Sequence, residues 1–243
     1  MRIVFFGSSH GVPEANRRCS STLIEVGDRR YFIDMGTQSI EQLITRRMPV
    51  QSVKGIFFTH MHGDHTNGLV SFVDLCTWYF KDVDPAIFLP EPVEDTVAAL
   101  SAWLKCNGIG AMKPFRFAPV QEGLLYEDEA IKVTAFRTMH NQMSHAYLVE
   151  AEGKRVLFTG DLCHKGPEED FPVSVFEKPL DLAICEVAHF PATKYLPIFE
   201  NQPNLKQVCF NHYSHTFQSY IYDVIKALPI PVFMASDGTE INL

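Results

Sequence analysis

His60, His62, Asp64 and His65 place four candidate metal ligands within six positions, in the string His60-Met61-His62-Gly63-Asp64-His65. They follow the apolar run Gly55-Ile56-Phe57-Phe58, which reads as a buried strand. Loops at strand ends are where sites are built, because a rigid scaffold aims their side chains. Imidazole and carboxylate ligands suit zinc, iron and manganese. A lone histidine near a strand end needs no metal. Three histidines and an aspartate packed this closely would repel one another if protonated and serve no core. The cluster therefore marks a metal site and points to metal-assisted hydrolysis.

The rest of the chain sets limits on what such a site serves. At 243 residues and 46% hydrophobic composition, a single globular domain spanning 1–243 is expected. Net charge is −8, and no run of Lys and Arg exceeds two residues. A protein that grips long nucleic acid usually carries a basic stripe, so long RNA or DNA is disfavoured. The six cysteines form no C-x-x-C pair and mostly sit in apolar stretches such as Ala183-Ile184-Cys185. They read as small buried hydrophobes. No signal-peptide core or membrane-length apolar run is visible. The expected setting is a reducing cytoplasm with no membrane association; a homodimer stays open.

Strands open the chain: 2–6, then a hairpin of 21–26 and 31–34 across Gly27-Asp28. Ser39 is placed to cap a helix over 40–47. Residues 54–59 form the strand feeding the histidine cluster, and a helix is expected over 68–80. Val93, Val97, Leu100 and Leu104 share a helical face that Asn107-Gly108 can end. Strands return at 131–136, 145–149, 155–158, 180–186 and 207–211. A helix over 219–228 and strands at 232–235 and 241–243 close the chain. Residues 166–170 read as a mobile acidic loop. Two strand-rich halves, each closing with helices, suggest two packed sheets with helices outside.

Further candidate ligands stand where strands run out: His140 after 131–136, Asp161 after Val156-Leu157-Phe158-Thr159-Gly160, and His212 after Val208-Cys209-Phe210-Asn211. With these in place the chain resembles the metallo-β-lactamase superfamily over nearly its whole length. Phe32-Ile33-Asp34-Met35-Gly36 looks like its first motif and the histidine cluster matches its second. His140, Thr159-Gly160-Asp161 and Asn211-His212-Tyr213-Ser214 look like the third to fifth, in order. Within the superfamily it is most similar to ribonuclease Z and the phosphonate-pathway phosphodiesterases, through Phe6-Gly7-Ser8-Ser9-His10-Gly11-Val12-Pro13, His212-Tyr213-Ser214 and Ala235-Ser236-Asp237-Gly238.

The resemblance implies an α/β fold, a four-layer αββα sandwich of two mixed sheets packed face to face. It implies two divalent metal ions, zinc first, with manganese or iron as alternatives. His60, His62 and His140 would hold one ion; Asp64, His65 and His212 would hold the other; Asp161 would bridge. Asp34 would orient the ligand loop from behind. Two departures stand out. His140 and Asp161 are 21 positions apart, with no room for the tRNA-gripping arm that the short form of ribonuclease Z carries there. The arginine that ribonuclease Z typically has two residues after the motif's serine is replaced by a different pattern, with His215 directly after Ser214.

Two cations a few ångströms apart can hold a hydroxide and clamp a phosphodiester. Asp64 is then both ligand and a group to orient the nucleophile. The leaving oxygen needs a proton, and a histidine free of metal is the natural donor. His189, beside Glu186, is the first choice, with Glu186 orienting the imidazole. His10 and His215 are candidate substrate contacts. His145, starting a strand, reads as structural, and His164 as solvated. Trp78, Tyr79 and Phe80 read as core, or as a pocket wall. The expected activity is a dinuclear phosphodiesterase acting on small phosphodiesters such as cyclic or short nucleotides. A lactonase or thioesterase would use the same metals, and a non-catalytic metal-binding accessory protein is a third reading.

Overall fold

The computed structural model describes residues 1–90 and 92–243. The first half holds β1 (Arg2–Gly7), β2 (Ser21–Val26), β3 (Arg29–Ile33), α1 (Ser39–Thr45), β4 (Val53–Phe57), α2 (Gly63–Trp78), β5 (Ala86–Leu89), α3 (Val93–Cys106) and β6 (Arg116–Pro119). The second holds β7 (Gly123–Glu127), β8 (Lys132–Thr138), β9 (Ser144–Ala151), β10 (Lys154–Phe158), β11 (Leu182–Val187), α4 (Leu196–Phe199), β12 (Val208–Tyr213), α5 (Gln218–Ala227), β13 (Val232–Met234) and β14 (Glu240–Asn242). They form two seven-stranded mixed sheets, ordered β14-β1-β2-β3-β4-β5-β6 and β13-β12-β11-β10-β9-β8-β7.

Three apolar clusters define four layers. The middle one takes Ile24, Tyr31 and Phe57 from the first sheet and Tyr147, Val149 and Val156 from the second, so the sheets pack face to face. The outer clusters set Leu43, Phe72 and Leu100 of α1, α2 and α3 against the first sheet, and Ile221 and Val224 of α5 against the second. This is the αββα sandwich expected. Phe57 shows why the strands read as they do. It stacks on Phe88 at 5.2 Å and meets Tyr126 and Tyr147 of the opposite sheet at 5.5 and 6.1 Å. Burying such a side chain stabilises by roughly 1.5–3 kcal/mol.

Strands β3 to β6 are mutually parallel, as are β10 to β13. Parallel strands deliver their carboxyl ends to one edge, where open α/β sheets place their ligand sites. Asp34, His60, Asp161, Glu186 and His212 all belong to the ends of such strands or the turns just past them.

Several expectations need correction. Helix α2 begins at Gly63, so Asp64 and His65 sit in its first turn rather than in a loop. Ser39 is the first helical residue of α1 and caps nothing; its hydroxyl meets those of Ser21 and the Thr37 carbonyl. His212 lies inside β12, not beyond it. Residues 167–169 form a short 3-10 turn and Pro167 is buried, so the acidic segment is an ordered turn. Trp78 and Tyr79 are 49% and 66% exposed and do not belong to the core. Strands β5, β6 and β7 carried too little alternation to be read. No helix among the described residues is long and apolar enough to cross a membrane.

The end of the sandwich remote from the cluster is tied by Asp128. Its carboxylate accepts the hydroxyls of Tyr31 at 2.7 Å and Tyr126 at 2.9 Å, and the amides of Ala130 and Ile131. Burial and the Asp128 bond push the Tyr126 hydroxyl up to about 12. Asp128→Ala strands the Tyr31 hydroxyl in the interior and should cost about 1–3 kcal/mol. A lowered urea midpoint at unchanged slope checks this; an unchanged midpoint would show that water replaces the carboxylate.

Candidate metal centre

Asp161 stands at the middle of the site, 2% exposed, just past β10. Gly160 before it takes φ 56°, and a Cβ there would sit 2.8 Å from Thr59 Cβ and 2.9 Å from the His145 carbonyl. Only glycine lets the turn approach the first sheet this closely. The two oxygens of Asp161 face different partners. Oδ2 is 3.6 Å from His60 Nε2 and 3.7 Å from His140 Nε2. Oδ1 is 3.4 Å from His212 Nε2 and 3.5 Å from His65 Nε2.

Each oxygen thus belongs to its own set of donors. In the first, His62 Nδ1 lies 2.9 Å from His60 Nε2 and 3.2 Å from His140 Nε2. In the second, Asp64 Oδ2 lies 3.3 Å from His65 Nε2 and 3.7 Å from His212 Nε2. Ligands about 2.0–2.1 Å from a tetrahedral zinc would be separated by roughly 3.3 Å. Both sets match that spacing. The atoms also lack other partners: His65 Nε2 and Asp161 Oδ1 are buried with no hydrogen bond in the protein. Orphaned buried donors and acceptors are costly, and a cation between them removes the cost. The residues present therefore fit two divalent cations sharing Asp161.

Protonation differs between the two sets: burial works to lower His65, but the Asp161 and Asp34 carboxylates raise it well above its usual range, so a cation there would displace its proton. Burial, and then the neighbouring histidines, lower His60 to about 2, so its imidazole stays neutral and its lone pair free. Burial works to raise the Asp161 carboxyl, but His212 and His65 outweigh it and hold it well below the usual carboxylate range.

The far sides of His60, His65 and His212 are held as well. Asp34 takes φ 58° and caps the end of β3. Its Oδ2 accepts His65 Nδ1–H at 2.7 Å, and its Oδ1 accepts the Thr59 amide at 2.8 Å. The Thr59 hydroxyl donates to Asp34 and lies 3.1 Å from His60 Nδ1. His212, at a left-handed φ of 50°, donates from Nδ1 to the Ser9 carbonyl at 2.9 Å. Such contacts hold the tautomer that leaves Nε2 facing inward. Gly36 supports them: a Cβ there would fall 1.7 Å from the Asp64 carbonyl oxygen. Thr59 and Ser9 escaped the sequence reading because one acts beside a motif histidine and the other through its backbone.

His189 and Glu186 also gather here. Glu186 is 2% exposed, and its carboxylate accepts the amides of Leu162, Ala188 and His189. It also accepts His189 Nδ1–H at 2.9 Å, which turns Nε2 toward Asp161 Oδ2 at 3.8 Å. Burial opposes protonation of His189, but the Glu186 bond and charge prevail and raise it to about 9. Asp161, Glu186 and His189 also lie close enough to hold an ion, but Glu186 is already saturated by backbone amides.

His10 and His215 meet away from the ligand atoms. His10 Nε2 is 3.5 Å and His215 Nδ1 3.4 Å from Glu14 Oε1, with His215 78% exposed at its side chain. Arg17 stacks 4.0 Å over Tyr213 and binds the other Glu14 oxygen at 2.7 Å. The loop carrying His10 borders the centre at Gly11, whose added Cβ would lie 3.6 Å from Asp64 Oδ2. His145 is buried in β9 and donates its amide to the Thr59 carbonyl, while His164 is exposed.

Residues 1–171 match the family model of the anti-Pycsar protein Apyc1. The chain belongs to that family. Ribonuclease Z of Crocosphaera subtropica is 31% identical over 157 residues, covering 64% of this chain and 49% of the relative. Ribonuclease Z of Listeria innocua is 27% identical over 158 residues, covering 64% and 51%. The chain spans about half the length of the curated relatives it matches. Among solved structures, the metallo-β-lactamase fold protein YhfI from Bacillus subtilis superposes with TM-score 0.80 at 15% identity, over 99% of this chain and 98% of that one. Human tRNase Z, short form, gives 0.74 at 19% over 100% and 99%. A diphosphatase of the PhnP family gives 0.69 at 18% over 100% and 97%. The Apyc1-family chain thus has the metallo-β-lactamase fold.

In this family member, Asp34→Ala removes the acceptor that orients His65 while leaving every donor atom in place. It should weaken zinc binding by the Asp64, His65 and His212 set by about 10–100-fold, read by competition with a chromophoric chelator. Unchanged affinity would show that His65 needs no support from behind.

Proposed function

We propose that this protein is a dinuclear metal-dependent phosphodiesterase acting on small phosphodiesters such as cyclic or short nucleotides. The observation that carries the reading is the splitting of Asp161, one oxygen to His60 and His140 and the other to His65 and His212. A carboxylate divided between two donor sets suits a pair of ions rather than one. His60, His62 and His140 would hold one, and Asp64, His65 and His212 the other, with zinc preferred over manganese or iron. When bound, two such cations supply Lewis acidity, lowering the pKa of coordinated water and neutralising charge on phosphoryl oxygens.

The chain's own residues supply the rest. Asp64 keeps a second carboxylate oxygen with which to accept a proton from, and orient, the attacking water. His189, held protonated by Glu186, presents Nε2–H on the His140 side of the centre, its ring 4.6 Å from that of His140. There it donates a proton to the leaving oxygen as the P–O bond breaks, and Glu186 stabilises the imidazolium beforehand. His10 and His215, sharing Glu14, lie on the opposite flank, where Gly11 borders Asp64, and are placed to contact the remainder of the substrate.

Phosphodiester chemistry is favoured over lactone or thioester hydrolysis by the names of the relatives, ribonuclease Z and a PhnP-family diphosphatase. A small substrate is favoured by the stretch between His140 and Asp161. It is consumed by the β9–β10 hairpin, which turns at Glu152-Gly153 and projects no arm. The net charge of −8 points the same way.

Protein reconstituted with zinc or manganese should hydrolyse bis(p-nitrophenyl) phosphate and cyclic mononucleotides, and metal-free protein should not. Two bound equivalents without turnover on either would contradict phosphodiester chemistry and move the reading to lactones and thioesters. His189→Ala should lower kcat by about 10²–10⁴ on nucleotides, whose alkoxide leaving group needs a proton. The loss should be far smaller on the p-nitrophenyl ester. Equal losses on both would remove His189 as the acid.

A further inference from the structure

The ligand-bearing loops are fastened from outside the centre by two carboxylates that touch no ligand atom. Asp237 lies in the turn between β13 and β14. Its Oδ1 accepts the Ser8 amide at 3.0 Å and the Ser8 hydroxyl at 2.9 Å; its Oδ2 accepts the Arg18 amide at 2.8 Å and the Arg18 guanidinium at 3.2 Å. It therefore closes both ends of the loop 8–18 at once. The Ser9 amide completes the closure by donating to the Arg18 carbonyl at 2.8 Å. The carbonyl presented by that loop, Ser9 O, is the one that receives His212 Nδ1–H.

Asp170 does the equivalent on the other flank. Its Oδ2 accepts the Met139 amide at 2.6 Å and the Cys163 amide at 3.0 Å. Met139 directly precedes His140, and Cys163 follows Asp161 by two residues. One carboxylate oxygen thus joins the His140 loop to the Asp161 loop, and the Thr138 hydroxyl, donating to the Asp161 carbonyl at 3.2 Å, reinforces the junction. His140 belongs to the first donor set alone, and His212 to the second alone; the loop of the shared Asp161 keeps the Thr138 hydroxyl on its carbonyl and the Glu186 carboxylate on the Leu162 amide without Asp170, so the loss of Asp170 falls on His140.

We propose that Asp170 and Asp237 are positioning residues, each serving one half of the centre: Asp170 the ion held with His140, Asp237 the ion held with His212. This rests on the two-ion reading above. The two fasteners lie on different loops and share no partner, so their effects should be independent, as for well-separated sites. A role of this kind acts on metal affinity before any substrate is present, because a ligand freed to swing loses the orientation that its outer contacts gave it.

The test is zinc titration of the full chain against a chromophoric chelator, with metal-free melting followed by circular dichroism. The wild type should show two affinities. Asp237→Ala and Asp170→Ala should each retain one and weaken the other by about tenfold or more. The double variant should weaken both, which it would not do if both residues served one ion. Asp170→Asn keeps an accepting oxygen and should restore the lost affinity. Should Asp237→Ala fail to fold, Ser8→Ala removes one of its four bonds and should weaken the same single ion to a lesser degree. Asp181→Ala, which strips the Arg155 amide and Lys206 of a partner far from the centre, should lower the melting temperature and keep both zinc affinities. Single variants that keep both affinities, or that weaken both equally, would overturn the proposal while the two-ion reading stands. Uptake of one equivalent by the wild type would overturn that reading and the proposal together.

Discussion

Everything at the open edge of this sandwich is arranged around a carboxylate that water does not reach. Asp161 is buried, ionised and divided between two sets of imidazoles. A buried anion is tolerated only when paired; in the bare chain His212 and His65 are its partners, and a cation would take the place of the proton that His65 carries. The polar centre is thus a liability to the bare polypeptide and an asset once metal is present. The fold absorbs the liability by packing three apolar layers behind it and by bringing the ends of both parallel strand sets to one edge. Strain is concentrated in the same place: Asp34 and His212 both adopt left-handed backbone, which costs of order 1–3 kcal/mol each. Surrounding hydrogen bonds hold them there.

The centre is also asymmetric in a way that suits bond cleavage. One flank carries His189, made cationic by a Glu186 carboxylate that is otherwise occupied with backbone amides. The other carries Asp64, with His10 and His215 on Glu14 beyond it. An acid on one side and an acceptor on the other give the direction in which a phosphodiester would be opened. The acid faces the His140 side, so leaving group and remaining ester would lie on opposite flanks.

Much of this was legible in the residues. The cluster from His60 to His65 announces itself because short spacing leaves few structural explanations, and His140, Asp161 and His212 stand out because each follows an apolar run. Sequence misplaced what tertiary contacts decide. The sequence puts Asp64 and His65 in a loop, because Gly63 is a poor helix former and the first turn of α2 is seated by tertiary contacts: the His65 carbonyl accepts the Met35 amide, and Gly36 lies against the Asp64 carbonyl. The sequence puts His212 past the strand end, because neither its left-handed φ inside β12 nor its bond to the Ser9 carbonyl, 203 positions away, can be read along the chain. Strands β5 to β7 are short and lack alternation, and sheet order alone reveals them. Asp170 falls in a segment that reads as a mobile acidic loop, since charge along the chain cannot show that one carboxylate is turned inward onto two backbone amides. Asp237 was visible only as part of a motif, with no hint of the loop it closes.

The most direct test of the account is anomalous diffraction at the zinc edge from crystals of the zinc-loaded protein. The account predicts two peaks about 3.5–4 Å apart, one beside each oxygen of Asp161, with His60, His62 and His140 around the first and Asp64, His65 and His212 around the second. A single peak, or a second peak seated between Glu186 and His189, would contradict it.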